Sequence, residues 1–213
     1  MKNIIGHLQL IWLMKSPPAL FSRLFELPWY RDMLERWCEP LLTPHASVLE
    51  VGCAGGDFSR LLAERSMKVS GIDRSAQMLK KAQQTPSSVQ FKQADATQLP
   101  FPNQHFDVVL AASLINIVDS PRAVLNEMKR VCREGGTVSV LAPSSLFSNA
   151  DAKRYLETTQ LTGFSAAALM MWHRMGRKVN VDSLHNDFKE CGMTHIATQT
   201  LLGGMIVTVS GRL

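Results

Sequence analysis

Residues 48–58, Val48-Leu49-Glu50-Val51-Gly52-Cys53-Ala54-Gly55-Gly56-Asp57-Phe58, decide the fold. A β-rich run at 47–51 enters a glycine-rich turn, and a helical pattern at 57–65 leaves it. Glycines let the backbone come close to a ligand, and the helix N-terminus offers free N–H groups. Taken alone, the same turn also suits any tight strand-to-helix connection.

Working outward, the pattern repeats. β-rich runs at 47–51, 68–72, 89–93, 106–111 and 137–141 alternate with helical patterns at 57–65, 76–84 and 121–132. Such alternation predicts a parallel sheet with helices on both faces. Two more strand-like runs, 195–202 and 205–211, flank Gly203-Gly204 and predict a hairpin. Residues 1–44 are apolar and helical in pattern, broken by Pro17, Pro18, Pro28, Pro40 and Pro44. Residues 145–190 return to helix, with Met170, Met171, Trp172 and Met175 close together as lid core or as the wall of an apolar pocket. The expected organisation is a helical cap at 1–44 and a ligand-binding α/β domain at 45–213 with a lid insertion at 145–190.

Composition bounds the function. The 213 residues are 46% hydrophobic and 19% charged, which excludes a disordered or fibrous chain. Cys38, Cys53, Cys132 and Cys191 stand singly, so neither a disulfide scaffold nor a metal site is expected and a reducing cytosol fits. The net charge is +5, and each of the segments 1–40, 41–110, 111–150, 151–190 and 191–213 holds one more basic than acidic residue. So even a spread argues against nucleic acid, which selects a clustered basic patch. An apolar stretch at 4–14 is interrupted by Gly6, His7 and Gln9 and ends at Lys15, Pro17 and Pro18. Spanning a bilayer takes about 20 apolar residues, and no small-residue cleavage site follows. It reads as a packing helix or as a helix resting on a membrane, giving a cytoplasmic expectation with peripheral contact through residues 1–15 as the variant.

An open parallel sheet binds ligand at the carboxyl ends of its strands. The second run leads into Asp73, 17 residues past Gly56. A carboxylate there can accept both hydroxyls of a ribose, as it does for nicotinamide nucleotides and S-adenosylmethionine alike. Its bland role would be a helix cap, which Ser75 can fill instead. After the third run, Asp95 can accept an exocyclic adenine amine while the Ala96 N–H meets a ring nitrogen, or it can simply form a turn.

The span from Ser47 to Pro143 resembles the class I S-adenosylmethionine-dependent methyltransferases. The likeness rests on the 48–58 stretch, on Gly71-Ile72-Asp73-Arg74-Ser75 with Met78-Leu79, on Ala94-Asp95-Ala96 with Leu99-Pro100-Phe101, on Phe106-Asp107-Val108-Val109 and on Arg133-Glu134-Gly135-Gly136-Thr137. It implies an α/β fold: a Rossmann-like sheet of seven strands, six parallel and one antiparallel, with strand seven inserted between five and six. It also implies S-adenosylmethionine as cofactor, S-adenosylhomocysteine as product, and cofactor contacts from Glu50, Gly52, Cys53, Ala54, Gly56, Asp73, Arg74, Met78, Asp95, Ala96, Ala112 and Ser113. One departure stands out: Ala54 occupies the place of the middle glycine of the family's E-x-G-x-G-x-G turn, with Gly55 after it. Ala112-Ser113-Leu114-Ile115-Asn116-Ile117-Val118-Asp119 is similar, more weakly, to ubiquinone/menaquinone-biosynthesis C-methyltransferases and tilts the expected acceptor towards a hydrophobic small molecule.

An activated methyl donor asks the protein for alignment and for exclusion of water, so no nucleophile–His–Asp set is demanded. Asn116, Tyr30 and His173 are the candidate catalytic residues, with His185 a further base in the lid. The competing readings are a tRNA or protein methyltransferase, a non-catalytic cofactor-binding subunit, and a nicotinamide oxidoreductase. Oligomeric state is not legible.

Overall fold

The computed structural model describes residues 2–65 and 67–213, and the side chains of residues 2–5 and of His7 lie outside that described set. Three helices come first: α1 (Lys2–Leu13), α2 (Pro17–Phe25) and α3 (Pro28–Cys38). Of the prolines that break the apolar N-terminal pattern, Pro17 and Pro18 open α2 and Pro28 opens α3. Proline suits a first helical turn because its missing N–H would have had no partner there.

The α/β region follows as β1 (Ser47–Val51), α4 (Asp57–Glu64), β2 (Lys68–Asp73), α5 (Ala76–Ala82), β3 (Gln90–Gln93), β4 (Phe106–Ala112), α6 (Pro121–Val131) and β5 (Cys132–Pro143). Three more helices, α7 (Asn149–Thr159), α8 (Gly163–Met175) and α9 (Val181–Glu190), precede β6 (Thr194–Leu201) and β7 (Ile206–Arg212). The seven strands lie in the order β3-β2-β1-β4-β5-β7-β6. β7 runs antiparallel to β5 and β6, and the remaining pairings are parallel. The predicted insertion of the last strand is therefore present, and Leu202 to Gly204 form the turn of the predicted hairpin.

Strands covered on both faces need continuous apolar runs. Val48, Leu49 and Val51 of β1, Val108 to Ala111 of β4 and Val138, Val140 and Leu141 of β5 supply them. One apolar cluster packs α6 and α9 beneath one face; another packs α3, α4 and parts of α7 and α8 on the other. Trp37 of α3 donates Nε1–H to Ser139 Oγ of β5 at 2.8 Å in the buried interior, so the N-terminal helices are fastened into the sheet.

The main departure from expectation is at β5. It begins at Cys132, five residues before the predicted start, and α6 stops at Val131. Its pairing with β4 slips between Phe106 and Val108, so Cys132 pairs with Phe106 and Thr137 with Val108. Gly135 lies in that irregular stretch at φ +71, and its N–H bonds the Leu213 carbonyl at 3.2 Å. An extra loop of strand is invisible to period-2 reasoning because a bulge leaves residues unpaired.

Candidate functional site

The order of strands reverses between β1 and β4, and the crevice outside their carboxyl ends is where such a sheet takes ligand. Two turns flank it. The first, from Gly52 to Gly56, is locked to β2: the N–H groups of Gly52 and Cys53 both bond the Ile72 carbonyl, at 2.8 and 2.9 Å. Gly52 sits at φ +81, and a Cβ there would come within 3.2 Å of the Leu114 side chain from the second turn. Gly56 sits at φ +75, where a Cβ would lie 2.5 Å from the Phe91 ring. Both positions need glycine, for backbone angle and for space.

Ala54 has a φ of +45. The alanine thus bears a left-handed angle that costs a non-glycine residue about 1–2 kcal/mol. Replacing Ala54 by glycine is expected to stabilise the protein by about 0.5–1 kcal/mol, after the greater unfolded-state freedom of glycine is subtracted. A thermal melt checks this, and a lower melting temperature would contradict it.

Asp73 joins the turns rather than standing free. Its Oδ2 accepts the Ala54 N–H at 2.9 Å and its Oδ1 accepts the Ser75 N–H at 2.8 Å. Each carboxylate oxygen keeps a further lone pair for a ligand. Ser75 caps α5, accepting from the Met78 N–H at 3.3 Å, as expected. Met78 is half-buried, whereas the Arg74 side chain is exposed. At the end of β3, Asp95 Oδ1 accepts from the Thr97 N–H at 2.7 Å and from its hydroxyl at 2.6 Å. These bonds hold the Asp95 carboxyl below the usual carboxylate range and leave Oδ2 open, with Ala96 half-buried beside it.

Glu50, at the end of β1, is 3% exposed. Burial, aided by the charges of Asp73 and Asp57 and opposed by the Ser59 hydroxyl that donates to it, pushes its carboxyl up to about 7. Burial likewise raises the Cys53 thiol well above its usual value. Over these groups lies an aromatic cluster from the cap. Tyr30 packs on Trp29 and Trp172, with ring centroids 5.7 and 5.4 Å away. Burial first, then the nearby charges of Glu50 and Asp57, drive its phenol far above the usual tyrosine range. It is thus a neutral hydroxyl. Ser22 of α2 donates to Asp57 at 3.2 Å, and Trp29 Nε1–H donates to Ser165 of α8 at 3.1 Å.

The second turn follows β4. Ser113 has a φ of +52, so non-glycine residues carry left-handed angles on both sides of the crevice; strain of this kind clusters at functional sites. Beyond half-buried Ala112, Ser113 Oγ and Asn116 Oδ1 are buried polar atoms without a hydrogen-bond partner among the described residues. Asn116 is 8% exposed. Buried polar atoms are almost always paired, so two orphans in one turn point to a ligand.

Other expectations fall elsewhere. His173 is buried in α8, bonding Asn149 across 3.1 Å and meeting the Phe147 ring edge-on. That places it at the joint of α7 and α8. His185 lies exposed on α9, which packs on β6, β7 and α6. Met170, Met171 and Trp172 pack on the apolar clusters, whereas Met175 is 64% exposed. Sequence reading missed Ser59, Ser22 and Ser165. Their partners lie 9, 35 and 136 residues away, and no local pattern announces them.

Comparison with known proteins agrees with this geometry. Residues 49–140 match the family described as methyltransferase domain. A phosphatidylethanolamine N-methyltransferase of Cereibacter sphaeroides is 39% identical over 100 residues, 44% of this chain and 49% of that one. A malonyl-[acyl-carrier protein] O-methyltransferase of Serratia marcescens is 27% identical over 168 residues, 72% of this chain and 66% of that one. The chain thus spans about half to two thirds of the length of these relatives. Among solved structures, an S-adenosylmethionine-dependent methyltransferase of Thermotoga maritima shares the fold with a TM-score of 0.66 at 19% identity, over 94% of this chain and 96% of that one. The cofactor of such domains is S-adenosylmethionine, and the residues fit it: glycine cradles that a Cβ would fill and a carboxylate at the end of β2. Residues 49–140 thus resemble the methyltransferase domain family, and the whole chain shares its fold with solved S-adenosylmethionine-dependent methyltransferases.

Proposed function

We propose that the protein transfers a methyl group from S-adenosylmethionine to a small, largely apolar acceptor whose polar reacting end is held by Asn116 and Ser113. The pair of unpartnered polar atoms after β4 carries this reading. The bound sulfonium supplies an already activated methyl group. What remains for the chain is to bind, orient and keep water out. On the cofactor side we assign Asp73 to the ribose hydroxyls, and Asp95 with the Ala96 N–H to the adenine. The glycine turn with Cys53 and Ala54, together with Glu50, takes the amino-acid end, and Arg74, Met78 and Ala112 flank the cofactor. Tyr30, with Trp29 and Trp172, covers the site against water. Its phenol stays neutral at physiological pH, so it orients by donating a hydrogen bond rather than acting as a base.

Support for an apolar acceptor comes from the cap, where Leu10, Leu13, Leu24, Leu27, Phe164 and Ala168 form a small core of their own around Tyr30. A relative named for phosphatidylethanolamine is in keeping with it. A macromolecular acceptor is disfavoured by the even spread of charge along the chain.

Calorimetric titration with S-adenosylhomocysteine, and with NADH in parallel, tests the cofactor. Micromolar binding of the former alone is expected. An acceptor screen starting with lipophilic phenols and quinols then tests the transfer. Asn116→Ala is expected to lower kcat/KM by about tenfold to a hundredfold, the worth of one or two buried hydrogen bonds, with S-adenosylhomocysteine affinity unchanged. Equal activity of the variant would remove Asn116 from the acceptor site. Binding of NADH alone would overturn the reading.

A further inference from the structure

The helix α1 is apolar on two opposite faces. Its inner face seats on α8: a Cβ on Gly6 would lie 2.3 Å from the Gly163 carbonyl carbon, and Leu10 and Leu13 are buried with Phe164, Ala167 and Ala168. On the far side, Leu8, Ile11 and Trp12 are 63%, 58% and 70% exposed. At 100° per residue these three share one stripe, opposite Gly6, Leu10 and Leu13. A contiguous exposed apolar stripe of this kind marks a surface that another molecule or phase covers.

We propose that this outer face docks on the surface of an anionic lipid bilayer. Charge selects the occupant. Before Glu26 the chain has no acidic residue, and its charges are Lys2, Lys15 and Arg23. Arg23 is paired with Glu26. Lys15, just past the end of α1, is exposed and has no ion-pair partner among the described residues. A second copy of this helix would bring no acidic group to meet this lysine. Three side chains are also far fewer than the roughly 20–30 residues a side of a stable protein interface. A bilayer needs only a short apolar stripe, a cation for the phosphates and an aromatic ring at headgroup depth. No helix among the described residues is long and apolar enough to cross a membrane, so α1 would lie in the interface plane. Docking there has a consequence for the site: α1 rests on the start of α8, whose Ser165 is bonded by Trp29, the neighbour of Tyr30. The cap would then open towards the phase in which lipophilic molecules dissolve.

Flotation of the full chain with vesicles tests this without any assay of methyl transfer, so its outcome is separate from that of the proposed activity. Phosphatidylglycerol-containing vesicles are expected to carry at least about tenfold more protein than pure phosphatidylcholine vesicles. Ile11→Ser with Trp12→Ser should reduce that to the phosphatidylcholine level, and Lys15→Glu should reduce it by at least about fivefold. Leu146→Ser, at a residue 75% exposed after β5, should change nothing. The two α1 substitutions lie on the solvent side, and unchanged circular dichroism melts would show that the fold persists. Equal flotation with both vesicle types would overturn the proposal. So would equal loss in Leu146→Ser, or a dimer in sedimentation that the α1 double substitution dissolves.

Discussion

Replacing Asp73 by alanine is expected to weaken S-adenosylhomocysteine binding by at least about a hundredfold. Two losses combine. On the proposed assignment the ribose hydroxyls lose their carboxylate acceptor, and hydrogen bonds to a charged group are each worth about 1.5–3 kcal/mol. The Ala54 and Ser75 N–H groups, now at 2.9 and 2.8 Å from its oxygens, also lose their acceptor. Because the first of these belongs to the glycine turn, that turn is freed just where Ala54 sits at a left-handed angle and would relax. Asparagine sharpens the test. Its amide keeps one oxygen but turns an NH2 towards one of the two backbone donors, so Asp73→Asn should fall between wild type and alanine. Ser75→Ala separates binding from helix stability. It removes the α5 cap, costing about 0.5–2 kcal/mol in stability, yet leaves Asp73 in place, so its ligand affinity should stay within about threefold of wild type. Calorimetry on the three variants, with circular dichroism as a fold control, reads all of this. Retention of wild-type affinity by Asp73→Ala would take Asp73 out of the cofactor site.

The sequence was most legible where one physical rule acted alone. β1 ran where apolar residues lie between a proline-ended helix and a glycine turn, and Ser47–Val51 is the observed strand. The β5–β7–β6 arrangement followed from the resemblance, with two runs around Gly203-Gly204. At Cys132 two rules competed. The residue completes the apolar stripe of α6 and also pairs with Phe106, and the strand pairing won. The glycine turn after β1 and the acidic turns after β2 and β3 were legible for the same reason that β1 was, since each is a contiguous string of residues. The bonds that fasten the helical segments over them were not. Trp29 reaches Ser165, and Trp37 reaches Ser139, across more than a hundred residues. A serine that meets a tryptophan looks like any other serine until the chain is folded. Asn116 lies between these cases: its position after β4 could be read, but its lack of a partner is a property of packing.

Glu50 gives the strongest pH signature. A carboxyl held at about 7 in the folded state, against about 4.3 when unfolded, binds its proton more tightly folded than unfolded. Its contribution to stability is therefore complete below the unfolded value and is lost as pH rises through the folded one. At 1.36 kcal/mol per unit, the loss between about pH 4.5 and pH 7.5 amounts to roughly 3 kcal/mol. Glutamine in its place carries no charge and can still accept from the Ser59 hydroxyl. Glu50→Gln is thus expected to match the wild type near pH 5 and to exceed its melting temperature by several degrees at pH 8, where a domain of this size moves about 2–4 °C per kcal/mol. The same residue should pay for that stability in binding. A cationic ligand group beside Glu50 favours the charged carboxylate, so wild-type protein should release protons on taking up S-adenosylmethionine near pH 6.5. Titrations in buffers of different ionisation enthalpy measure that release, and Glu50→Gln should abolish it. If both proteins melt alike at pH 8 and release the same protons, Glu50 is ionised throughout, and the Ser59 hydroxyl outweighs its burial.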